Sequence, residues 1–304
     1  MKFFIFLLTM ALNYSLFAAE GLFAIKDLKT SPGYRDSYVE FKGCGGVRIH
    51  KDLPYVLTAL HCVTNVIGKI EPSSVIELGN HFASDQIVQF SDLKGKVLPG
   101  GIKVLSSGRC FTGLDPEVLA EESKEKIKKA LACALEDWAI LEVPSIRAQN
   151  CSPIAKNNSI DIIALGATTK LIKRNTGLNN LKGNVFTRGH VYQIRQLINL
   201  PQYLFNSLWI GLVDEFENTM SKQFILSDGD VMNGMSGGPV LDNSFSINGV
   251  TTTALLPVNI WKFEGAKSFE EGYNFGIHGA ISISQIILQL NKKSIDPNKF
   301  FLCK

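Results

Sequence analysis

A mostly β fold is what this sequence predicts, and three observations predict it. Short runs of alternating or continuous apolar residues recur along the chain, each about the length of a strand. Glycine and polar turn residues separate them. Helix signals are confined to two places, a charged segment of helix composition before the middle of the chain and a periodic segment near its C-terminus. Short strands at such spacing build a barrel or a sandwich.

The elements follow in order. Residues 20–37 are mixed and show no clear period. Tyr38-Val39-Glu40-Phe41-Lys42 alternates as a strand, and Gly43-Cys44-Gly45-Gly46-Val47-Arg48-Ile49 enters the next strand through glycines. Tyr55-Val56-Leu57-Thr58 is a short apolar strand leading to His61. Further strands are expected at Val75 to Leu78, Ile87 to Phe90 and Ile102 to Leu105. Residues 115–135 then change character. Asp115-Pro116-Glu117 opens a segment rich in Glu and Lys, a helix composition whose charges suit a solvated face. Ala139 to Pro144 closes the first half, and the polar residues 145–157 read as a linker. The second half begins with the strand Asp161 to Gly166. It continues through Val185 to Thr187, Val191 to Leu197, Gln223 to Leu226, Val240-Leu241, Ile247 to Thr252 and Tyr273 to Ile277. From Ser284, the pattern Ile286, Ile287, Leu290 is helical, with Lys292 and Lys293 at its C-terminal end.

Length and charge bound the function. A chain of 304 residues, 45% of them hydrophobic, forms one large domain or two small ones. A formal net charge of +3 without any basic block gives no reason to expect a nucleic-acid partner. The start is Met1-Lys2, an apolar run from Phe3 to Leu12, then Ser15-Leu16-Phe17-Ala18-Ala19-Glu20. That is the pattern of a signal peptide over residues 1–19, cut near Ala18 or Ala19, so the expected destination is secreted or periplasmic. An uncleaved anchor is the competing reading, but the run is short for a membrane span and Asn13 interrupts it.

Three stretches carry chemistry. In Gly234-Met235-Ser236-Gly237-Gly238-Pro239-Val240 a serine hydroxyl stands on a glycine turn. The amides of Gly234 and Ser236 can there converge on one oxyanion. The same composition also suits a plain turn between strands. Thr58-Ala59-Leu60-His61-Cys62 places a histidine after an apolar strand, and Asp137-Trp138-Ala139-Ile140-Leu141 places an aspartate at the mouth of another. The chain order is His, Asp, Ser. With Cys44-Gly45-Gly46 ahead of the first motif, the sequence resembles the trypsin/chymotrypsin-like serine peptidases over most of its length after residue 20.

The resemblance implies two six-stranded antiparallel β-barrels of chymotrypsin type with a C-terminal helix. The helical segment is then an insertion in the first barrel. The expected division is an N-terminal barrel over residues 20–145, carrying His61 and Asp137, and a C-terminal barrel over 146–304, carrying Ser236. His61 becomes the general base, Asp137 its orienting partner, and Ser236 the nucleophile of a peptide hydrolase acting through an acyl-enzyme. No cofactor or metal is called for, since apart from His61-Cys62 no His or Cys pair has ligand spacing. His50, His81, His190 and His278 default to structural or surface roles. The partners expected are protein or peptide substrates, and the chain is expected to be a monomer.

Six cysteines in an exported chain suggest disulfides. The family pairs the two that flank the histidine loop, here Cys44 with Cys62. Cys110 and Cys133 bracket the charged segment and suit a local pair. Cys151 with Cys303 then resembles the trypsin tie between the interdomain linker and the C-terminal helix. Free, buried cysteines are the alternative.

Specificity and activation rest on the resemblance as well. Asp230 precedes Ser236 by six residues, the offset of the aspartate at the base of the trypsin pocket. It implies cleavage after Arg or Lys, with walls from Thr252, Thr253, Ala254 and the strand around Gly276. Met232 replaces the trypsin cysteine that braces this pocket, and Asp228 offers a second carboxylate in an Asp-Gly-Asp turn. Small or aromatic specificity therefore stays open. Met235 stands where trypsin has the aspartate that pairs with the new N-terminus, so activity without N-terminal insertion is expected. Two rivals from other classes are a catalytically silent binding protein and an esterase-like hydrolase. Every triad residue is present, which counts against the first. The second would place its serine ahead of its acid and histidine.

Overall fold

The computed structural model describes residues 23–24, 37–41, 44–67, 87–90, 93–112, 123–146, 150–157, 159–173, 180–192, 217, 222–227, 229, 234–255 and 277–303. The expected signal peptide, the strand at Val75 to Leu78, the Asp115-Pro116 helix start, Asp228, Asp230, Met232 and Gly276 lie outside them.

The strands are β1 (Phe23–Ala24), β2 (Tyr38–Phe41), β3 (Cys44–Arg48), β4 (Tyr55–Thr58), β5 (Val88–Gln89), β6 (Lys103–Ser107), β7 (Cys110–Phe111), β8 (Ala139–Glu142), β9 (Asp161–Lys173), β10 (Asn180–Tyr192), β11 (Phe224–Ser227), β12 (Pro239–Leu241), β13 (Ile247–Leu255) and β14 (Ile277–Ser282). The helices are α1 (Leu60–Ile67), α2 (Lys124–Ala134) and α3 (Ile283–Lys292). The mostly β architecture and the C-terminal helix are as the sequence predicts.

The second half closes on itself. Its strands pair in the order β10-β11-β14-β13-β12-β9, and β9 pairs again with β10, giving a six-stranded antiparallel barrel. Closure leaves no free edge among these strands. β1 adds to β10, with Phe23 opposite Phe186. The first half holds a second sheet in the order β2-β3-β4-β8-β6 and the ribbon β5-β7. Two expected strands, Val185 to Thr187 and the start of Val191 to Leu197, are parts of one strand, β10. It runs unbroken because it pairs with β9 along most of its length.

The charged segment is more than a surface feature. α2 starts at the N-cap Ser123, whose hydroxyl accepts from the Lys126 N–H at 3.4 Å. Lys124, Glu125, Lys126, Lys128 and Lys129 face solvent. Ile127, Ala130, Leu131 and Ala134 are buried in the main core, which also holds Trp138, Leu165, Ile286 and Leu290. Apolar residues at these spacings form one helix face, and burying that face fixes the helix against the sheets. One continuous core therefore joins both halves of the chain.

Three disulfides link Cys44 with Cys62, Cys110 with Cys133, and Cys151 with Cys303. The first ties the start of β3 to the histidine helix, and the second ties β7 to α2. The third holds the C-terminal segment, where Lys51 N–H donates to the Leu302 carbonyl at 3.0 Å. Among the described residues no helix is long and apolar enough to cross a membrane.

Candidate active site

His61 lies in the first turn of α1, directly after the buried strand β4 and Ala59. Asp137 follows α2 and precedes β8, which pairs with β4 so that Thr58 faces Ala139. This register brings the two strand mouths together. His61 Nδ1 and Asp137 Oδ2 are 2.7 Å apart, and the His61 backbone N–H donates to Asp137 Oδ1 at 2.9 Å. Both carboxylate oxygens are thus committed to one residue. Burial disfavours the imidazolium, but the Asp137 charge and hydrogen bond outweigh it and hold the His61 pKa above its ordinary 6.5. Phe111 packs edge-on against the imidazole, with ring centroids 5.9 Å apart.

Ser236 is tied to the same corner by its backbone. Its carbonyl accepts from the Gly45 N–H at 2.7 Å and lies 3.6 Å from Cys62 Sγ. A disulfide sulfur has no hydrogen to donate, so the second is a contact only. Thr58 Oγ1 donates to the Gly45 carbonyl at 2.7 Å. The strand that leads to His61 therefore holds the glycine that holds Ser236.

The serine turn needs its glycines for space. Gly237 has φ +77°, and a Cβ there would lie 2.2 Å from Thr58 Oγ1 and 2.4 Å from the Gly45 carbonyl oxygen. A Cβ on Gly238 would lie 1.9 Å from the Leu165 carbonyl oxygen. Gly237 N–H donates to the Thr251 carbonyl and Thr251 N–H to the Gly238 carbonyl, stitching the turn to β13 at 2.7 and 2.9 Å. Among the described residues the N–H groups of Gly234 and Ser236 donate no backbone hydrogen bond.

Met235 is 0% exposed. It packs with Ile162, Ala164, Val185, Ile225, Val240 and Ala280 inside the closed barrel. Its side chain fills the space beside Gly166, where a Cβ would come within 2.4 Å of it. A carboxylate in this position would have no polar neighbour in that cluster. The turn is anchored here by a buried thioether, which contributes about 1.5–3 kcal/mol of burial.

Of the expected specificity residues, Thr252 lies buried on β13, and its hydroxyl donates to the Gly279 carbonyl at 3.4 Å. Thr253 pairs with Gly279 and Ala254 with His278 across β13 and β14. Gly276, expected on the facing strand, lies outside the described residues. Gly229 packs on β10, its absent side chain facing Thr187 Cγ2 at 3.2 Å. Gly45 and Thr58, which support the serine turn, stand within the sequence motifs, but the motifs give them no such role. A signal for Thr58 exists, a hydroxyl ending an apolar strand, but its acceptor lies on a different strand.

The remaining histidines divide. His50 is buried, and its Nδ1 accepts from the Asp52 and Leu53 N–H groups at 3.1 and 3.0 Å. Burial holds its pKa below the ordinary value. His190 is exposed and pairs with Asp161. Among the described residues, Cys44, His61 and Cys62 cluster closely enough to suggest a metal site. Both sulfurs are in a disulfide, so no thiolate is available there.

A model of the trypsin-like peptidase domain matches residues 44–250, about two thirds of the chain. The chain belongs to this family. It is a serine endopeptidase. Among solved structures, the Rv3671c protease of M. tuberculosis in its inactive form is similar at 16% identity and a TM-score of 0.37, covering 84% of this chain and 88% of that one. Neuropsin, a serine protease expressed in the limbic system of mouse brain, is similar at 13% identity and a TM-score of 0.42, covering 86% and 96%. No curated protein sequence matches this peptidase.

Proposed function

We propose that this peptidase is exported, with residues 1–19 as its signal peptide, and that it hydrolyses peptide bonds through Ser236, His61 and Asp137. The carrying observation is the His61–Asp137 pair at 2.7 Å with the Ser236 carbonyl tied to Gly45 in the same corner. Ser236 Oγ attacks the scissile carbonyl while His61 takes its proton. The amides of Gly234 and Ser236 receive the oxyanion. Collapse of the tetrahedral intermediate expels the amine, which takes its proton from His61. Water, activated by the same imidazole, then releases the acyl group. Asp137 keeps the Nδ1 proton in place and favours the imidazolium, which suits a pKa held above the ordinary value. The division of labour places His61 and Asp137 in residues 20–145 and Ser236 in residues 146–304, in a monomer. Three disulfides favour an extracellular or periplasmic setting.

Specificity for Arg or Lys rests on Asp230 and its offset from Ser236, with Thr252, Thr253 and Ala254 as one wall. The strand around Gly276 forms the opposite wall, and the pairing of β13 with β14, which begins at Ile277, supports that reading.

The test is a peptide library turned over by purified protein, beside Ser236→Ala. A factor on the order of 10⁴ or more lost from kcat with KM little changed, and labelling of Ser236 alone by a phosphonylating reagent, are the expected results. Wild-type activity in Ser236→Ala would end the assignment, and an inert but peptide-binding wild type would favour the silent binding protein. Asp230→Ser should abolish the preference for Arg and Lys. If Asp228→Ser does so instead, Asp230 is not the pocket carboxylate.

A further inference from the structure

Asp137 belongs to the first half of the chain, yet the turn that carries it is gripped from the second. Gln289 lies on α3 and is 7% exposed. Its Nε2 donates to the Leu135 carbonyl at 2.8 Å, and its Oε1 accepts from Trp138 Nε1 at 2.5 Å. One partner stands just before Asp137 and the other just after it. Both ends of the amide are used, and each bond spans more than 150 residues of sequence.

The surroundings leave this turn little freedom. Trp138 is 0% exposed, its N–H donates to the Glu136 carbonyl at 2.9 Å, and its carbonyl accepts from Gly108 at 2.8 Å. Lys293, following α3, donates to the Ser107 carbonyl and lies 5.4 Å from the Trp138 ring centroid. α3 itself is seated by Ile283, Ile286 and Leu290 in the core shared with Leu135 and Trp138. A rigid helix thus delivers Gln289 to a fixed point.

The chemistry of the grip selects the residue. An indole offers only a donor and a peptide carbonyl only an acceptor, so the bridging side chain must accept at one atom and donate at another. A glutamine amide does both. A methionine of similar length does neither, and a carboxylate accepts from Trp138 but has no hydrogen for Leu135.

We infer that Gln289 is a positioning residue for Asp137: the C-terminal helix sets the carboxylate that orients His61. This rests on the catalytic triad proposed for Ser236, His61 and Asp137. Asp137 must meet both the Nδ1 and the backbone N–H of His61, so a small displacement of its turn loosens both bonds. Misplacement of a reacting group by about 1 Å is enough to cost on the order of a hundredfold in rate.

The test compares Gln289→Met with Ile286→Val, a buried change on the same helix that leaves the Gln289 amide in place. Thermal unfolding, kcat, KM and the pH dependence of kcat/KM are measured for both. Gln289→Met should lower kcat about 10- to 100-fold with KM within about twofold. Its acid limb should move to lower pH, because His61 loses part of its carboxylate support. Ile286→Val should lose stability alone. If Gln289→Met keeps the kcat and acid limb of Ile286→Val, Gln289 is a packing residue and the inference falls. Where Gln289→Met does not fold, Trp138→Phe, which deletes the indole donor, takes its place: a lowered kcat and acid limb support the inference, and unchanged values overturn it. Asp137→Asn in the same assay separates the inference from the triad itself. Full activity there overturns both together. An inactive Asp137→Asn beside an unaffected Gln289→Met overturns the inference only.

Discussion

Two turns carry the site, and they are held by opposite means. The Asp137 turn is held by polar side chains that reach across the sequence: Gln289 on both flanks, Lys293 behind, and Glu136 accepting from the Arg109 N–H at 2.7 Å. The serine turn is held by missing side chains. Gly237 and Gly238 let Thr58, Gly45 and Leu165 close in, and Met235 plugs the barrel behind. A polar grip fixes direction, as an acid aimed at one imidazole nitrogen requires. A steric grip fixes backbone position, as the proposed oxyanion site requires. The two should therefore break differently.

Breaking the polar side at its functional end gives the largest expected effect. Asp137→Asn should lower kcat by a factor on the order of 10⁴ while the fold persists. The pH profile sharpens this. As the proposed base, His61 must be neutral, so kcat/KM should rise with pH through a pKa held above its ordinary value. Asp137→Asn should move that limb down. The stability linkage has the opposite sense. A folded pKa raised above the unfolded one gives stability fully present below about pH 6.5 and lost as pH rises through the folded value. Asp137→Asn should remove that slope from unfolding measured against pH.

Breaking the steric side should instead cost stability and rate together. Gly238→Ala puts a methyl 1.9 Å from the Leu165 carbonyl oxygen, and backbone on both sides leaves nothing flexible to yield. A loss of about 3 kcal/mol or more is expected, with activity falling alongside. At Met235 the comparison is between shapes and charges. Met235→Leu keeps an apolar group of similar volume and should cost under about 1.5 kcal/mol. Met235→Asp buries a carboxylate among aliphatic residues and should cost several kcal/mol. Protein cut only by the signal peptidase, with its N-terminal amine acetylated, should remain active. Activity that appears only after a second cut would mean that an ammonium does take part.

Much of this is legible in the sequence. The three motifs and their order point to His61, Asp137 and Ser236 as candidates, because each is a local pattern set by glycines or by the end of an apolar strand, and the structure pairs His61 with Asp137. The C-terminal helix is legible from its 3.6-residue stripe. The long strand β10 reads as two, since its continuity comes from pairing with β9 and not from its own alternation. The buried face of α2 is hidden in the sequence because its charges dominate the composition. Gln289, Thr58 and Gly45 carry little or no local signal of their roles. Each acts through a partner elsewhere in the chain, and a hydrogen bond across so many residues leaves no trace in spacing. Asp230, the pocket carboxylate proposed from its offset, lies outside the described residues.

The smallest effects come from two hydroxyls on either side of Gly45. Thr58 Oγ1 donates to the Gly45 carbonyl at 2.7 Å, whereas the Tyr38 ring stands 3.0 Å from where a Gly45 Cβ would be. The Tyr38 hydroxyl oxygen is buried without a hydrogen-bond partner among the described residues. Burial, with the nearby Glu40 charge, pushes its pKa up, as expected of a phenol that has lost water and gained nothing. A buried hydroxyl without a partner is a net cost, and one with a partner a modest gain. Thr58→Val keeps shape, removes the donor, and leaves the Gly45 carbonyl short of one bond. It should lose about 1–2 kcal/mol and slow turnover, since Gly45 holds Ser236. Tyr38→Phe keeps the ring against Gly45 and removes only the orphaned oxygen. It should be neutral or stabilising by up to about 1 kcal/mol in chemical denaturation, with kcat unchanged. A clear loss of stability in Tyr38→Phe would mean that its hydroxyl has a partner, such as a buried water, and that the corner beneath the serine is polar on both sides.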